Sequence, residues 1–478
     1  MDPIENDRKF QYIDTIGLMN RWVRMKPTFS VDTDYVDYCK KEPRGLVYAP
    51  SRMDPKVEEA RLYDYDRPQP RDLNEEEKVK WKTAVDWAKD HFRVCLGTQP
   101  MSHQETIDFI LKSDCADSSP GCPWSVDFKD KASALANPEV CCYLERFYDR
   151  LGFEPIGCVF ATSLKDEIMR IEKIKKLETR LFMCSPLEHI YAVMRLCGRM
   201  HENLMSDSGT WCSAGRDFHY GGWNQLIKRL KWDWYIGMDQ RGYDMSLNRL
   251  MFEGLLEILK SFLPTEVHGK IADLLDMALD SFLVTGRGRV YCKHTGNPSG
   301  WYLTLFFNTV ILYVLLAFAW LQKGENDRRA FEFFVNANLC GDDSLLSVHE
   351  SVRSWYTPVF ISTYWQDALR VEVKKFEEGQ EVNDIEYCGA TSVVHDGVLV
   401  RRPRVIKFLN ALMFTRHKDP EMKLQRALSI YYEMWPVEEK TIPWNYIEYL
   451  IRKYPRLASL RRSFLSEREL RTLHTGLE

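Results

Sequence analysis

The tripeptide Gly341-Asp342-Asp343 places two adjacent carboxylates at a glycine turn within residues 334–348. The flanking residues predict two strands, and glycine supplies the positive φ that a tight hairpin between them needs. Neighbouring carboxylates repel one another unless a cation lies close to both. The tripeptide alone is a weak signal, because acidic turns are common on protein surfaces. It predicts a metal site if another part of the chain provides a further carboxylate.

A second acidic pair follows a predicted strand at residues 234–238. It consists of Asp239 and Asp244 in the run Asp-Gln-Arg-Gly-Tyr-Asp. Two Mg²⁺ ions about 3.5–4 Å apart need bridging carboxylates from separate elements, one ion activating an attacking hydroxyl and the other holding a triphosphate. We therefore predict that Asp239 and Asp342 bridge two such ions, with Asp343 in a more peripheral supporting role.

The loop at residues 296–300, Gly-Asn-Pro-Ser-Gly, carries two glycines that permit close backbone approach. Thr304 and Asn308 follow it on one side of a predicted helix. A ribose 2′-hydroxyl both donates and accepts hydrogen bonds, so its site needs groups of matching polarity. Ser299, Thr304, Asn308 and Asp244 could provide them. The alternative is that these residues make only capping hydrogen bonds at the helix start.

The elements that position these groups are predicted to be mixed, with carboxylates at strand ends, which indicates an α+β fold. Residues 1–75 predict an extended, wrapping arm, and residues 118–123 predict a turn cluster. Further strands are predicted at residues 290–293, in the acidic hairpin and within 386–400. Helices are predicted at residues 74–94, 247–262, 301–321 and 363–369, and the chain beyond residue 400 is predicted to be largely helical.

Residues 301–321 form the most apolar stretch, interrupted only by Thr304, Asn308 and Thr309. These three residues fall on one side of a helix. We predict a buried core helix with one functional polar face, and a transmembrane span is the alternative.

Length and composition indicate a large, multi-lobed protein of 478 residues. Its 13 cysteines are scattered, without a CxxC pair or a zinc-ligand spacing, which is typical of reduced thiols in a cytosolic setting and not of a disulfide framework. Residues 401–478 hold 16 Lys and Arg against 9 Asp and Glu, a surplus of +7 that leaves −11 for residues 1–400 of a chain with net charge −4. A basic lobe on a more acidic body fits a channel for polyanions.

Taken in order, the acidic and loop motifs resemble those of the RNA-dependent RNA polymerases of positive-strand RNA viruses, of the picornavirus-like kind that includes astroviruses and caliciviruses. Those families carry Asp-x₄-Asp in palm motif A, Ser-Gly with Thr and Asn at plus five and plus nine in motif B, and Gly-Asp-Asp in motif C. This sequence matches all three spacings in the same order. Joint matching is strong evidence where each motif alone is weak.

The resemblance implies further site residues upstream. Lys165, Lys173 and Arg180 fall where motif F places cations against the incoming triphosphate, although Glu178 and Met169 depart from the usual picornavirus-type residues. The alternative for this segment is an exposed helix with paired charges.

Further resemblance concerns the template entrance and the leaving group. Ser119, Pro120 and Gly121 resemble motif G at the template entrance and, with Gly300, are predicted to bind RNA. Motif D implies a lysine that protonates the pyrophosphate leaving group. Lys374 and Lys375 are both candidates for it.

The implied fold is a closed right hand with an antiparallel palm sheet and largely helical fingers and thumb. Fingers would comprise residues 1–229 and 251–288, palm 230–250 and 289–390, and thumb 391–478. The implied activity is template-directed, two-metal nucleotidyl transfer with Mg²⁺, or Mn²⁺ in its place. Implied partners are template and product RNA, nucleoside triphosphates, a viral protein primer and other replication proteins, without an intrinsic transmembrane span. The implied location is the host cytoplasm, at membrane-associated replication complexes.

Two other functions compete with this one. A reverse transcriptase shares a palm with paired aspartates but excludes the ribose 2′-hydroxyl, commonly with a bulky side chain, whereas Asp244 and Asn308 are polar. A non-catalytic RNA-binding or membrane-anchored replication protein would use the basic C-terminal lobe and the helix at residues 301–321.

Overall fold

A four-stranded antiparallel sheet carries the acidic turn. Its strands lie in the order Val335–Cys340, Asp343–Val348, Tyr235–Gln240 and Val373–Gly379. The computed structural model describes residues 10–15, 28–40 and 46–477 of the chain. The predicted hairpin is present: Gly341, with a φ of +64°, is the first of two turn residues, where glycine is favoured.

The strand Val373–Gly379 was not predicted from the sequence. Its run Val-Lys-Lys-Phe-Glu-Glu-Gly has no alternation of apolar and polar residues, and most of its side chains are exposed or half-buried. It lies at the edge of the sheet, where charged side chains are common because they discourage pairing with other chains. Local pattern therefore gave no signal, and pairing with Tyr235–Gln240 defines the strand.

A second, five-stranded sheet packs elsewhere in the molecule. Its order is Gln11–Thr15, Arg289–Cys292, Phe282–Val284, Val159–Leu164 and Leu181–Cys184. All neighbours are antiparallel except Val159–Leu164 and Phe282–Val284, which are parallel. The strand predicted at residues 290–293 is Arg289–Cys292 and belongs to this sheet. The described residues also form three two-stranded pairs: Ala390–His395 with Val398–Pro403, Ser30–Val31 with Phe414–Thr415, and Tyr48–Pro50 with Ile168–Arg170.

Helices make up most of the remainder, including the largely helical C-terminal part that the sequence predicts. The predicted helix at residues 74–94 begins at a capping box, in which Asn74 and Glu77 satisfy each other's backbone N–H groups. The α-helices are Thr33–Cys39, Pro55–Leu62, Glu75–His91, His103–Lys112, Lys131–Leu135, Pro138–Arg150, Ile171–Lys175, Leu187–Ser206, Gly222–Lys228, Tyr243–Ser246, Arg249–Phe262, His268–Leu279, Thr304–Leu321, Arg328–Phe334, Glu350–Arg353, Pro358–Leu369, Val405–Ala411, Pro420–Glu433, Thr441–Lys453 and Glu467–Thr475.

The helix Thr304–Leu321 is the centre of the hydrophobic core. It packs against Glu75–His91 on one side and Pro358–Leu369 on another, and it also contacts the strand Val335–Cys340. Within the described part of the chain, it is the one helix long and apolar enough to cross a membrane, and 89% of that stretch is buried inside the protein. The predicted core helix is therefore present.

The predicted N-terminal arm is only partly extended. Its described residues include the helices Thr33–Cys39 and Pro55–Leu62, which the weak periodicity did not indicate. The segment ties to the C-terminal lobe through Asp32, whose buried carboxylate accepts hydrogen bonds from Arg426 at 2.5 Å and from the Tyr446 hydroxyl at 2.9 Å. The parts of the arm at residues 1–9, 16–27 and 41–45 lie outside the described residues.

Candidate active site

Asp239 and Asp342 lie at the same end of the four-stranded sheet. Asp239 is near the end of Tyr235–Gln240, and Asp342 is in the hairpin turn. Ser344 pairs with Met238 across the two antiparallel strands. The hairpin turn and Asp239 therefore lie at the same end of the sheet. Both carboxylates line a cavity of about 1140 Å³.

The electrostatics of the turn favour a cation. Withdrawal from water raises the pKa of Asp342, and the negative charge of Asp239 raises it further. Withdrawal from water, followed by the charges of Asp342 and Asp239, raises the pKa of Asp343 to about 6. Asp343 begins the second strand of the hairpin and is not among the residues that line the cavity. A cation beside Asp239 and Asp342 would relieve their repulsion.

The core helix Thr304–Leu321 holds the Gly341-Asp342 turn through a hydrogen bond. Thr309, which is fully buried, accepts a hydrogen bond from the Gly341 backbone N–H at 2.9 Å and donates its own hydroxyl to the Leu305 carbonyl at 2.8 Å. The polar face predicted on this helix thus contacts the acidic hairpin directly. The sequence analysis did not predict that Thr309 contacts the acidic turn. Its position next to Asn308 on the polar face of the helix was the feature that could have indicated this contact.

Asp244 reaches the same cavity from the short helix Tyr243–Ser246. Its Oδ1 accepts a hydrogen bond from the Asn308 side-chain amide at 2.7 Å. Burial raises the pKa of Asp244 to about 6 although the Asn308 hydrogen bond lowers it. The structure therefore brings together two members of the predicted sugar-contacting set.

Ser299 and Thr304, the other members of that set, differ in position. Ser299 lines the cavity, and its hydroxyl lies 3.5 Å from the Leu181 carbonyl. The Thr304 hydroxyl donates to the carbonyls of Pro298 and Trp301, both at 2.9 Å, and Thr304 does not line the cavity. Thr304 thus makes the local hydrogen bonds of a helix start, the alternative that the sequence left open.

Three predicted cations, Lys165, Lys173 and Arg180, line the same cavity. Arg180 is fixed by a two-point hydrogen bond to Glu167, with Nε 2.6 Å from Oε1. Burial and then the charge of Arg180 lower the pKa of Lys165, whereas burial and then the charge of Lys374 lower that of Lys173. The cations therefore repel one another, and a bound polyanion would relieve that repulsion.

A β-bulge separates the two lysines between which the sequence did not decide. Val373 pairs with Gln240 and Lys375 pairs with Asp239, so Lys374 is the extra residue. Lys374 lines the cavity, and its Nζ lies 3.4 Å from Asp239 Oδ2. The Lys375 ammonium instead bonds Glu377, two residues along the same strand.

Ser119, Gly121 and Gly300 line a second cavity of about 370 Å³, and Pro120 lies beside it without lining it. Both glycines are required by close backbone approach. A Cβ atom on Gly121 would lie 2.7 Å from the Ser185 carbonyl oxygen, and one on Gly300 would lie 2.4 Å from the Met183 carbonyl oxygen. The structure thus unites the turn at residues 118–121 with the loop at residues 296–300.

Other residues of the large cavity come from segments to which the sequence assigned no chemistry. Arg61, Tyr65 and Arg67 lie in the first 75 residues, and Arg67 Nη1 donates to the carbonyl of Arg241 at 3.4 Å. Isolated arginines in a region of weak periodicity carry no local signal of a site.

The described ranges contain no group of three or more His, Cys, Asp or Glu side chains able to hold a metal ion. Mg²⁺ is usually held by one or two carboxylates together with water and substrate phosphates. Asp239 and Asp342 are oxygen ligands of the type that this ion prefers.

Sequence comparisons identify related proteins. A family model described as viral RNA-dependent RNA polymerase matches residues 31–440. The genome polyprotein of Soybean mosaic virus (strain N) is 23% identical over 455 residues, which are 91% of this chain and 14% of the polyprotein. The genome polyproteins of Triticum mosaic virus and Watermelon mosaic virus II are each 23% identical, over 66% of this chain and over 10% and 31% of their own lengths, respectively. The chain thus spans less than a third of these relatives.

Proposed function

The chain belongs to the viral RNA-dependent RNA polymerase family, and on this premise we propose that it adds nucleotides from nucleoside triphosphates to an RNA 3′-hydroxyl, directed by an RNA template. The observation that carries the proposal is one cavity lined by both Asp239 and Asp342 and by the cations Lys165, Lys173 and Arg180. Phosphoryl transfer depends mostly on positioning and on compensation of phosphate charge, and this cavity offers groups for both.

The three cations bind the triphosphate. Arg180 presents a planar, pre-oriented guanidinium because Glu167 holds it in place. Lys165 and Lys173 add point charges, and the repulsion of each by Arg180 favours a bound polyanion. Together they compensate the charge that develops on the departing pyrophosphate.

Divalent ions, which polymerases of this family generally use, would be held by Asp239 and Asp342, with Asp343 in support. These residues suit a divalent ion because the Asp239 and Asp342 carboxylates repel one another at the same end of the sheet. We assign two Mg²⁺ ions, or Mn²⁺ in their place. When bound, such ions lower the pKa of the attacking hydroxyl and stabilise the charge on the phosphates.

Lys374 is the proton donor to the leaving pyrophosphate in this proposal. It projects into the cavity at the bulge, close to Asp239, whereas Lys375 is paired with Glu377. A positioned general acid contributes typically about 10²–10⁴-fold to the rate.

Asp244 and Ser299, which line the cavity, select the sugar, and Asn308 holds the Asp244 carboxylate in place. The half-buried Asp244 carboxylate can accept a hydrogen bond from a ribose 2′-hydroxyl, which a deoxyribose lacks. This polar sugar site distinguishes the proposal from a reverse transcriptase.

The proposed architecture is a closed right hand. The four-stranded sheet supports a palm at residues 230–250 and 289–390, with fingers at 1–229 and 251–288 and a thumb at 391–478. In this scheme, Ser119, Pro120, Gly121 and Gly300 contact template RNA at the second cavity. Partners are template and product RNA, nucleoside triphosphates, a viral protein primer and other replication proteins, at replication complexes on host cytoplasmic membranes.

Primer extension by the full chain on a primed RNA template with Mg²⁺ tests the proposal. Asp342→Ala is expected to lower nucleotide incorporation by at least about a hundredfold, because it removes a group that compensates charge in the transition state. Asp343→Asn is expected to retain a larger share of activity. Asp233→Ala, an exposed acid outside the cavity, is the matched control and should extend like the wild type.

Incorporation by Asp342→Ala at the wild-type rate would refute the mechanism. Preferential use of deoxyribonucleotides by the wild type would instead assign the chain to reverse transcription. If the protein sediments in the absence of detergent and does not extend primers, a membrane-anchored RNA-binding role would be favoured.

A further inference from the structure

A buried chain of side-chain hydrogen bonds runs from Trp301 to Asp244. The Trp301 indole Nε1 donates to Asn297 Oδ1 at 2.7 Å, and the Asn297 amide nitrogen donates to Asn308 Oδ1 at 3.0 Å. The Asn308 amide nitrogen then donates to Asp244 Oδ1 at 2.7 Å. These hydrogen bonds connect the loop at residues 296–300, through the core helix, to the cavity.

The direction of this chain is dictated by its ends. An indole N–H can only donate, and an ionised carboxylate can only accept. Each asparagine amide between them could in principle adopt either of two orientations, related by a flip that exchanges oxygen and nitrogen. With Trp301 at one end, Asn297 must turn its oxygen toward the indole, and its nitrogen therefore faces Asn308. Asn308 is oriented in turn and presents its nitrogen to Asp244.

Burial makes it costly to break these hydrogen bonds or to flip either asparagine amide. Asn297 is 0% exposed, and Trp301 and Asn308 are each 5% exposed. Water therefore cannot readily replace a lost partner, and an unpaired polar group in such a place is penalised. The backbone reinforces the geometry, because the Asn297 N–H donates to the Asp244 carbonyl at 2.7 Å.

We propose that Trp301 and Asn297 are positioning residues that set the polarity of the sugar site, fixing Asn308 as a donor so that Asp244 is held as an acceptor for the ribose 2′-hydroxyl. This inference rests on the proposed function, since it concerns sugar choice at the same cavity. Of the residues joined by these hydrogen bonds, only Asp244 lines that cavity, so Trp301, Asn297 and Asn308 all act through Asp244.

The test compares single-nucleotide incorporation of ribonucleotides and deoxyribonucleotides, measured as the ratio of the two kcat/KM values. In Trp301→Phe, the donor is lost and the Asn297 amide can flip. The ribose preference is expected to fall by about fivefold or more, the factor that corresponds to one hydrogen bond. The loss should appear mainly with ribonucleotides, because the deoxyribonucleotide makes no 2′-hydroxyl contact.

Trp320→Phe is the matched control. Trp320 is 1% exposed and lies on the core helix, but its indole N–H has no hydrogen-bond partner among the residues that the structure describes. This variant removes similar buried volume without breaking a hydrogen bond, and its ribose preference should equal that of the wild type. Asn297→Asp is a second variant: it can still accept from Trp301 but cannot donate to Asn308, so its preference should fall further than that of Trp301→Phe.

An unchanged preference in Trp301→Phe would overturn the inference, as would equal losses in Trp301→Phe and Trp320→Phe, which would trace the effect to packing. If Asn297→Asp fails to fold, the two tryptophan variants decide the question alone. Failure of the wild type to extend a primer with any nucleotide would refute the proposed function itself, and the inference would fall with it. Extension by the wild type with an unaltered ratio in Trp301→Phe would refute only the inference.

Discussion

Thr309→Val tests whether the core helix holds the acidic turn in its working geometry. Valine has nearly the shape of threonine but no hydroxyl, so the substitution removes the acceptor of the Gly341 N–H without opening a cavity. Gly341 and Thr309 are both buried, so the N–H is left without a partner in a site that water does not readily reach. A buried, unsatisfied donor costs about 1–3 kcal/mol.

That cost can appear in stability or in catalysis. If the turn stays in place, the free energy of unfolding falls by about 1–3 kcal/mol. If the turn shifts to find another acceptor, Asp342 moves with it, and the same energy appears as a loss in kcat of about fivefold to about a hundredfold. Chemical denaturation and primer extension on the same preparation measure both quantities.

Thr309→Ser is the matched control, because it keeps the hydroxyl and removes only a methyl group. It should retain more of both stability and kcat than Thr309→Val. If Thr309→Val equals the wild type in stability and in kcat, the hydrogen bond to Gly341 contributes nothing and the reasoning is refuted.

Three further outcomes are expected. Because the pKa of Asp244 is raised to about 6 and its ionised form accepts the 2′-hydroxyl, ribose preference should decline as pH falls through about 6; a ratio constant from pH 5 to 8 would contradict this. Lys374→Leu should lower the single-turnover rate by about a hundredfold or more whereas Lys375→Leu should change it little, and equal effects would contradict the assignment. Glu58 is fully buried with a pKa raised to about 7, so its contribution to the free energy of unfolding should fall as pH rises from about 4.5 to about 7; Glu58→Gln, followed by denaturation, should lose less stability than the wild type over this range and be more stable at pH 8 by roughly 3 kcal/mol.

The sequence predicted the strongly patterned elements well. The helix Glu75–His91 carries a capping box at its start, and the helix Thr304–Leu321 is an apolar run with three polar residues on one side, so both are encoded locally. The strand Val373–Gly379 was missed because an exposed edge strand has no apolar face to reveal it. The helices Thr33–Cys39 and Pro55–Leu62 were missed for a related reason, since both are short and the second is weakly amphipathic.

Residue type and order along the chain determined by themselves which groups could do chemistry. Carboxylates at strand ends, a loop with two glycines and a Gly-Asp-Asp turn are local features, because each depends on the chemistry of adjacent residues and on the conformation that glycine permits.

Tertiary structure decided which of these groups meet and what state they are in. Antiparallel pairing brings Asp239 close to the hairpin turn, and a β-bulge directs Lys374, but not Lys375, toward Asp239. Packing places the Thr309 hydroxyl where it accepts a hydrogen bond from the Gly341 N–H. Such contacts join residues far apart in the chain, so no local pattern contains them. Burial likewise sets the raised pKa of Asp244, because the cost of charging a carboxylate depends on everything packed around it.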